Sequence, residues 1–310
     1  MSPAIKAAAV WIVTGEKYVP WGLASAATVK AHHPEIPLIW LVSEVAARKT
    51  DELVPEWLRG SLDVRVAACI GEPDKEASRR LKVEARRLIE GDFFQIDADV
   101  LLARPLQSAD FEKVEAVGAA PNREPAGEFQ EDPDNKWAQN FFREMGWQWP
   151  DTYLNTGFIF WRDNAAAHAF THAWEKAREE FAAKMQIVID QPAFNHVADL
   201  SGGVTTLDSC YNAPVSLLPQ LTRNAVCYHY YASDDTGEAV RGSALVHLAG
   251  KFAAKSSDAK YAVERFLKAP KPFVGWGAHS EQYRLAGQWR NYLERKLRVG
   301  WDGVKKKLKS

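Results

Sequence analysis

Two carboxylates stand one residue apart in an otherwise apolar stretch, FFQIDADVLL (93–102). Unpaired carboxylates are costly to bury, and two like charges this close repel each other unless a cation lies between them. Mg²⁺ and Mn²⁺ prefer oxygen ligands and leave coordination positions open for substrate phosphates. Asp97 and Asp99 therefore predict a metal that joins the protein to a phosphorylated ligand. Taken alone, this short pattern is equally compatible with a surface turn.

Apolar runs along the chain predict the elements that would position these carboxylates. Buried parallel strands are typically continuous apolar runs, and such runs are found at 7–13 and 38–42, with a third strand predicted at 63–68. Helical spacing is found at 19–32 and at 78–90, where Ser78 is a candidate N-cap. This alternation predicts a parallel sheet with helices on both faces and a site at the carboxyl ends of its strands. On a strand, Asp97 and Asp99 would project to the same side.

The pattern is looser after Pro105. Residues 121–152 are rich in proline, tryptophan and charge, and they predict a long, partly helical excursion. Its aromatic side chains are expected to serve packing, and a lid whose aromatic faces contact a sugar is the alternative. A strand at 153–162 and a helix at 165–184 follow. The apolar run 244–250 is predicted to be a strand that carries His247.

Length and charge limit the class of protein. The chain has 310 residues, of which 46% are hydrophobic and 25% charged, so it can bury a sizeable core in one or two domains. The formal net charge of −1 gives no global field that would favour nucleic acid. Residues 251–310 contain 15 Lys and Arg against 5 Asp and Glu, which divides the chain into a body (1–250) and a basic segment (251–310). That segment predicts either an anionic partner or a solvated tail.

Cysteine usage and the two ends of the chain bear on its compartment. Cys69, Cys210 and Cys227 fit no zinc or redox spacing and favour a reducing, cytoplasmic compartment. The apolar run 7–13 is too short to cross a bilayer. Residues 285–308 place Leu and Trp at helical spacing among Arg and Lys, the pattern of a helix lying on an anionic membrane. A C-terminal helix docked on the protein is the alternative.

Six segments in a fixed order resemble the retaining glycosyltransferases of the GT-A fold, specifically family eight, which includes glycogenin and bacterial lipooligosaccharide galactosyltransferases. The segments are IVTGEKY (12–18), RRLK (79–82), IDADVLL (96–102), YLNTGFIFWR (153–162), DQPAFN (190–195) and HLAG (247–250). Each is weak alone, and their order and spacing carry the resemblance from about residue 7 to residue 251. It implies the GT-A nucleotide-diphospho-sugar transferase fold, an α/β fold with a mixed, mostly parallel sheet and helices on both faces.

Carried over position by position, the resemblance implies three groups of site residues. The ligands of Mn²⁺ or Mg²⁺ would be Asp97, Asp99 and His247. The residues near the base, ribose and phosphates of the nucleotide would be Val13, Thr14, Tyr18, Ala98, Arg80, Lys82, Gly250 and Lys251. Those around the transferred sugar would be Asn155, Asp190 and Gln191.

Two departures from the family pattern bear on these assignments. Gly15 stands where the family usually has an acidic residue in the loop after the first strand, although Glu16 is adjacent. The family's Lys-Pro-Trp shortly after His-x-x-Gly is missing, so Lys251 or Lys255 would have to supply the positive charge at the diphosphate.

The resemblance implies a metal-dependent hexosyltransferase that moves a sugar from a nucleotide-sugar, in particular a UDP-sugar, to an acceptor hydroxyl with retention at the anomeric carbon. The expected acceptor is a glycan or a lipid-linked glycan, in polysaccharide or lipopolysaccharide biosynthesis, in the cytoplasm or at the inner face of the inner membrane. One alternative is a non-catalytic nucleotide- or glycan-binding protein. Another is a sugar-nucleotide pyrophosphorylase, which normally needs a glycine-rich loop where this chain has a single glycine in VTGEKYVP.

Overall fold

A computed structural model describes residues 5–69, 71–122, 136–231, 242–274 and 278–307. The strands within these ranges are β1 (Ala8–Val13), β2 (Leu38–Val42), β3 (Leu62–Val66), β4 (Phe93–Ile96), β5 (Val100–Leu102), β6 (Val117–Pro121), β7 (Leu154–Trp161), β8 (Val204–Thr206), β9 (Ala213–Pro214) and β10 (Cys227–His229). The helices are α1 (Val19–His32), α2 (Glu44–Leu53), α3 (Glu56–Arg59), α4 (Asp74–Leu88), α5 (Lys136–Met145), α6 (Ala165–Met185), α7 (Gln191–Ser201), α8 (Ala244–Ala253), α9 (Ala259–Lys268), α10 (Ser280–Leu285) and α11 (Trp289–Lys307).

The strands form a large sheet and a small one. The large sheet has the order β3-β2-β1-β4-β7-β6-β8, and the small sheet has the order β5-β10-β9. Strands β1 to β4 of the large sheet are parallel, while β7 pairs antiparallel with both β4 and β6. This arrangement confirms the predicted mixed, mostly parallel sheet.

Strand β1 is apolar along its whole length because both faces of the large sheet are covered. Trp11 faces a core that includes Leu23 of α1 and Phe252 of α8. Val10 faces a second core, which includes Val83 of α4 and Trp174 of α6. Alternate residues of one strand therefore enter two different cores, as expected for a sheet between two helical layers.

Several element boundaries follow the sequence prediction and two do not. Helix α1 and strand β2 have the predicted bounds. Helix α4 begins at Asp74, so Ser78 lies inside the helix and is not its N-cap. The run 244–250 is helical, not a strand, because Ser243 caps α8 by accepting a hydrogen bond from Val246 N (3.1 Å) and the apolar side chains at helical spacing pack toward α1.

The two carboxylates of the DAD sequence lie in a turn and not on one strand. Strand β4 ends at Ile96, and β5 begins at Val100 in the other sheet. The turn is closed by a hydrogen bond from Val100 N to Asp97 O (3.1 Å). It is held to its neighbours by Asp97 N donating to Gly157 O (2.8 Å) and Tyr230 N donating to Asp99 O (3.0 Å). The chain changes sheets at this turn, which brings both carboxylates to the junction.

The predicted boundary at residue 250 falls inside α8. Phe252, Val263 and Phe266 beyond that boundary belong to the same core cluster as Trp11. Among the described residues, no helix is long and apolar enough to cross a membrane.

Candidate active site

A cavity of about 900 Å³ opens where the carboxyl ends of β1 and β4 meet the start of β7. Strand β7 runs antiparallel to β4, so its first residues lie at the edge of the sheet where β4 ends. Further lining comes from the residues after β1, from the starts of α4 and α7 and from the end of β10. The cavity occupies the edge of the sheet at which the sequence predicted a site.

Asp97, Asp99 and His229 converge on this cavity. One ligand atom from each of the three lies within 4.8 Å of the others. The Nε2 atom of His229 is 3.4 Å from the Asp99 carboxylate. Two carboxylate oxygens and one imidazole nitrogen are a donor set that suits Mn²⁺ or Mg²⁺.

Asn212 fixes the orientation of the His229 ring. Its Oδ1 atom lies 2.7 Å from Nδ1 of His229, while its Nδ2 donates to the Pro121 carbonyl at 2.8 Å. Because the amide nitrogen is already used as a donor, Oδ1 is the acceptor for the Nδ1–H of His229. The Nε2 atom then faces Asp99 and is the ring nitrogen left to bind a metal, which is the arrangement of a metal-binding histidine oriented by a second residue.

Gly157 provides the space in which the His229 ring lies. A Cβ atom at this position would be 2.2 Å from His229 Cε1 and 2.8 Å from each ring nitrogen. No side chain fits there without moving the ring. The glycine of the LNTG segment is therefore required by a close approach between β7 and β10.

A buried lysine and a partly exposed arginine neutralise the carboxylates beside this cluster. The Nζ atom of Lys82, which is only 2% exposed, lies 2.9 Å from Asp97 Oδ2 and 3.4 Å from Asp190 Oδ2. Arg79 Nη1 lies 3.0 Å from the other Asp190 oxygen, and Thr156 Oγ1 donates to Asp190 at 3.0 Å. Lys82 thus connects the candidate metal ligand Asp97 to Asp190.

The carboxyl groups of Asp190 and Asp99 remain ionised at neutral pH although burial opposes their charge. Burial would raise the pKa of Asp190, but Arg79, Lys82 and Thr156 hold that pKa well below its usual range. Burial likewise opposes ionisation of Asp99, and the charge and hydrogen bond of His229 together with Lys82 hold its pKa below the ordinary value.

Asp190 is the N-cap residue of α7, but its side chain makes no capping hydrogen bond. Gln191 follows it in the cavity lining, and its Oε1 lies 3.4 Å from Asn155 Nδ2. Asn155 also donates to Asn122 Oδ1 (2.7 Å). These amides and the Asp190 carboxylate form a polar part of the cavity lining, with the chemistry needed to bind hydroxyl groups.

The other end of the cavity is built from the residues after β1. Thr14 Oγ1 donates to the Asp74 carbonyl at 2.6 Å, which joins the end of β1 to the start of α4. The Tyr18 and Trp21 rings meet edge to face at 5.8 Å between centroids. A Cβ atom at Gly15 would be 3.0 Å from Asp74 Oδ2. The Asp74 carboxylate therefore lies against Gly15, the position at which the family usually has an acidic residue and this chain has none.

A model of the nucleotide-diphospho-sugar transferase family matches residues 92–256, just over half of the chain. The chain belongs to this family. The protein is a glycosyltransferase, and its GT-A fold and its likeness to family eight are confirmed.

Solved structures agree with this fold. The galactosyltransferase LgtC, in complex with donor and acceptor sugar analogs, superposes with a TM-score of 0.54 at 14% identity, over 80% of this chain and 96% of LgtC. The bifunctional glycosyltransferase WbbM, in its apo form, gives a TM-score of 0.56 at 14% identity, over 86% of this chain and 53% of WbbM. At these identities the likeness shows the fold alone. No curated protein sequence matches the chain.

Most of the site residues expected from the sequence line the 900 Å³ cavity. They are Val13, Thr14, Tyr18, Lys82, Asp97, Ala98, Asp99, Asn155, Asp190 and Gln191. The structure brings them together from positions far apart in the chain. Their roles toward sugar, nucleotide and metal remain predictions.

Four of the assigned residues, and Lys255 as the alternative to Lys251, do not reach the cavity. Arg80 is turned away and lies 2.9 Å from both Glu72 and Glu84, while its neighbour Arg79 lines the cavity instead. His247, Gly250 and Lys251 lie on α8, where Lys251 pairs with Asp258 at 2.9 Å. His247 is exposed, and it is His229 that lies beside the carboxylates. Lys255 pairs with Glu52 at 3.2 Å and does not line the cavity either.

A signal for His229 was present in the sequence. The run VCYHYY (226–231) is apolar and aromatic with one imidazole, as expected of a buried strand that ends at a site. The exact match of HLAG to the family pattern drew the assignment to His247. Asn212, Asn122 and Thr156 had no comparable signal, because single polar residues of this kind occur throughout the chain.

Proposed function

We propose that this glycosyltransferase depends on a divalent metal, takes a UDP-sugar as its donor, and transfers the sugar to an acceptor hydroxyl with retention at the anomeric carbon. The observation that carries the proposal is the convergence of Asp97, Asp99 and His229 beside the Lys82–Asp190–Arg79 network in one cavity. A nucleotide-sugar has its diphosphate between the base and the sugar. In the cavity, the candidate metal ligands likewise lie between the residues after β1 and the polar residues at the start of β7 and α7.

The proposed metal, Mn²⁺ or Mg²⁺, would be held by Asp97, Asp99 and His229. When bound, it supplies positive charge that stabilises the leaving diphosphate. Asn212 keeps His229 in the tautomer that this role needs. Lys82 and Arg79 add fixed positive charge close by, and preorganised charge of this kind stabilises a transition state without reorganisation.

Retention is proposed from the family resemblance, and the contacts of Asp190 bear on how it would be achieved. Its carboxylate is bound to Arg79, Lys82 and Thr156, which leaves it a poor nucleophile. Gln191, the neighbouring side chain, carries an amide rather than a carboxylate. We therefore favour attack by the acceptor hydroxyl on the same face as the leaving diphosphate. In this proposal Asp190 and Asn155 orient the transferred sugar.

A uracil base is supported by Asp74. Uracil has an N–H group at N3, which a carboxylate accepts well, whereas cytosine has an acceptor at the same position. The Asp74 side chain lines the cavity against Gly15 and near Tyr18. We assign to Asp74 the base contact that the family usually makes from the loop after the first strand.

The proposed reaction can be tested with a panel of nucleotide-sugars. With Mn²⁺ present, we expect UDP-sugars to be hydrolysed in preference to CDP- and GDP-sugars, and NMR of the first product formed to show the anomer of the donor. Asp74→Asn should lower the preference for uridine over cytidine. Inverted product, or equal use of all bases, would contradict the respective parts of the proposal.

We also propose that α11 contacts an anionic membrane, which would bring a lipid-linked acceptor to the site. Trp289, Leu293 and Leu297 form a stripe on one face of α11 and are 55%, 58% and 75% exposed. Arg295, Lys296 and Arg298 lie beside it in sequence. Exposed apolar and basic side chains on one helix are typical of helices that lie in a membrane interface.

Serine substitution of the stripe tests this contact. We expect Leu293→Ser/Leu297→Ser to bind anionic vesicles about tenfold more weakly in flotation, since each leucine loses its burial in the bilayer. The matched control is Val66→Ser/Leu200→Ser, which replaces two other exposed apolar side chains, 56% and 72% exposed. Equal vesicle binding by both double variants would contradict the membrane contact.

A further inference from the structure

A second cavity, of about 830 Å³, lies where the end of α9 meets the turn between α10 and α11. It shares no lining residue with the candidate active site. Among the described residues that line it there is no Asp or Glu, and there are four cationic side chains: Arg104, Arg223, Lys271 and Arg290.

Three of these cations have no carboxylate partner within the described part of the chain. Arg104 Nη2 donates to the Arg223 carbonyl (2.7 Å), and Arg223 Nε donates to the Leu285 carbonyl (2.9 Å). These bonds position both guanidinium groups but do not neutralise their charge. Arg290 alone is paired, with Glu294 at 2.8 Å, and its side chain is 90% exposed. The cavity therefore keeps a net positive charge.

The start of α11 adds to this charge. Trp289 and Asn291 of its first turn line the cavity. Backbone N–H groups in the first turn of a helix have no acceptor within the helix, and together with the helix dipole they favour an anion. Gly287 has φ +76°, and a Cβ atom there would be 3.4 Å from Arg223 Nε, so the turn into α11 passes close over that side chain. The helix start and the cationic side chains therefore face the same volume.

The cavity is also continuous with an apolar surface. Trp289 lines it and is the first residue of the exposed stripe that continues to Leu293 and Leu297. Residues four apart lie on one face of a helix. A ligand with a phosphate in the cavity could place apolar chains along this stripe.

We propose that this second cavity binds a phosphate group, and that the phosphate belongs to the headgroup of an anionic lipid whose chains lie along the stripe of α11. The proposal goes beyond sugar transfer and does not depend on it. It also differs from general attraction to a charged membrane, because it requires one localised site that recognises one chemical group.

The test uses the full chain with Arg104→Gln/Lys271→Gln. Flotation compares phosphatidylcholine vesicles that contain phosphatidic acid with vesicles that contain phosphatidylserine at the same surface charge. We expect wild-type protein to prefer phosphatidic acid, and the double variant to bind those vesicles about tenfold more weakly than the control Lys113→Gln/Lys176→Gln, which removes two exposed charges elsewhere. Thermal unfolding of each variant checks the fold.

A titration with inorganic phosphate distinguishes the sources of the anion. Phosphate binding that is lost in the double variant, with no preference for phosphatidic acid, would support the cavity as an anion site and overturn the lipid assignment. Unchanged binding of both ligands would overturn the whole proposal. Lys271→Glu provides a second variant, because Lys271 is exposed and forms no ion pair with a described residue, so its replacement leaves the bond between Arg104 and Arg223 intact.

Discussion

Replacing Asp97 and Asp99 together by asparagine should abolish Mn²⁺ binding and reduce hydrolysis of the UDP-sugar donor by about a thousandfold. Asparagine keeps the shape of each side chain and removes the negative charge that a hard cation requires. A metal at a leaving diphosphate contributes several kcal/mol to the stability of the transition state, which corresponds to a rate factor of this size. Calorimetry with Mn²⁺ and a donor-hydrolysis assay measure the two effects separately.

The structure provides a control for this loss. Asp151 and Asp199 are exposed and lie outside the cavity, so Asp151→Asn/Asp199→Asn makes the same chemical change without touching the site. Lys82 retains Asp190 as a partner after the substitution of Asp97, so the site variant should still fold. If Asp97→Asn/Asp99→Asn keeps both its Mn²⁺ affinity and full activity, the metal assignment is wrong.

Gly157→Ala should weaken Mn²⁺ binding by about a hundredfold although it removes no ligand atom. The added methyl group would lie 2.2 Å from His229 Cε1, so the imidazole has to leave its position beside Asp99. Displacing an oriented ligand costs metal affinity of this order. Overpacking also costs about 1–3 kcal/mol of the free energy of unfolding. Calorimetry with Mn²⁺ and chemical denaturation measure the two consequences.

Gly250→Ala is the matched control, because a Cβ atom there meets nothing within 4 Å. Two histidine variants complete the experiment. His229→Ala should lose Mn²⁺ affinity as Gly157→Ala does, while His247→Ala, on the exposed face of α8, should keep it. Equal affinity in the His229→Ala and wild-type proteins would remove His229 from the metal site and leave the glycine without this role.

The inner strands β1, β2, β4 and β7 of the large sheet were predictable because they are buried on both faces. Strand β2 has no polar residue, and helix α1 begins at Val19 just before Pro20 and ends just before Pro34, so local sequence alone marks both elements. The small sheet was not predictable in this way. Its strands are two or three residues long, and their pairing depends on where the chain turns after Asp99.

The site residues likewise divide into those that the local sequence marks and those whose role depends on contacts between distant parts of the chain. Asp97 and Asp99 could be found because their charge interrupts an apolar run. Arg79 and Arg80 could not be separated, since neighbouring helix positions differ by about 100° of rotation and both flank the apolar face of α4. Packing turned Arg79 toward Asp190 and Arg80 toward Glu72. The run 226–231 marked a buried strand, but the pairing of β10 with β5 that brings His229 to the carboxylates has no local pattern, so His247 was assigned instead.

The junction between the two sheets has a consequence for how the protein folds. Asp97 and Asp99 stand where the chain leaves the large sheet, and His229 returns on β10 only after β6, β7 and β8 have been added. Closing so long a loop costs entropy, and contacts between residues far apart in sequence form slowly. The three proposed ligands can meet only when both sheets have formed. Metal affinity would therefore report completed folding, and a nascent chain that ends before β10 would lack it.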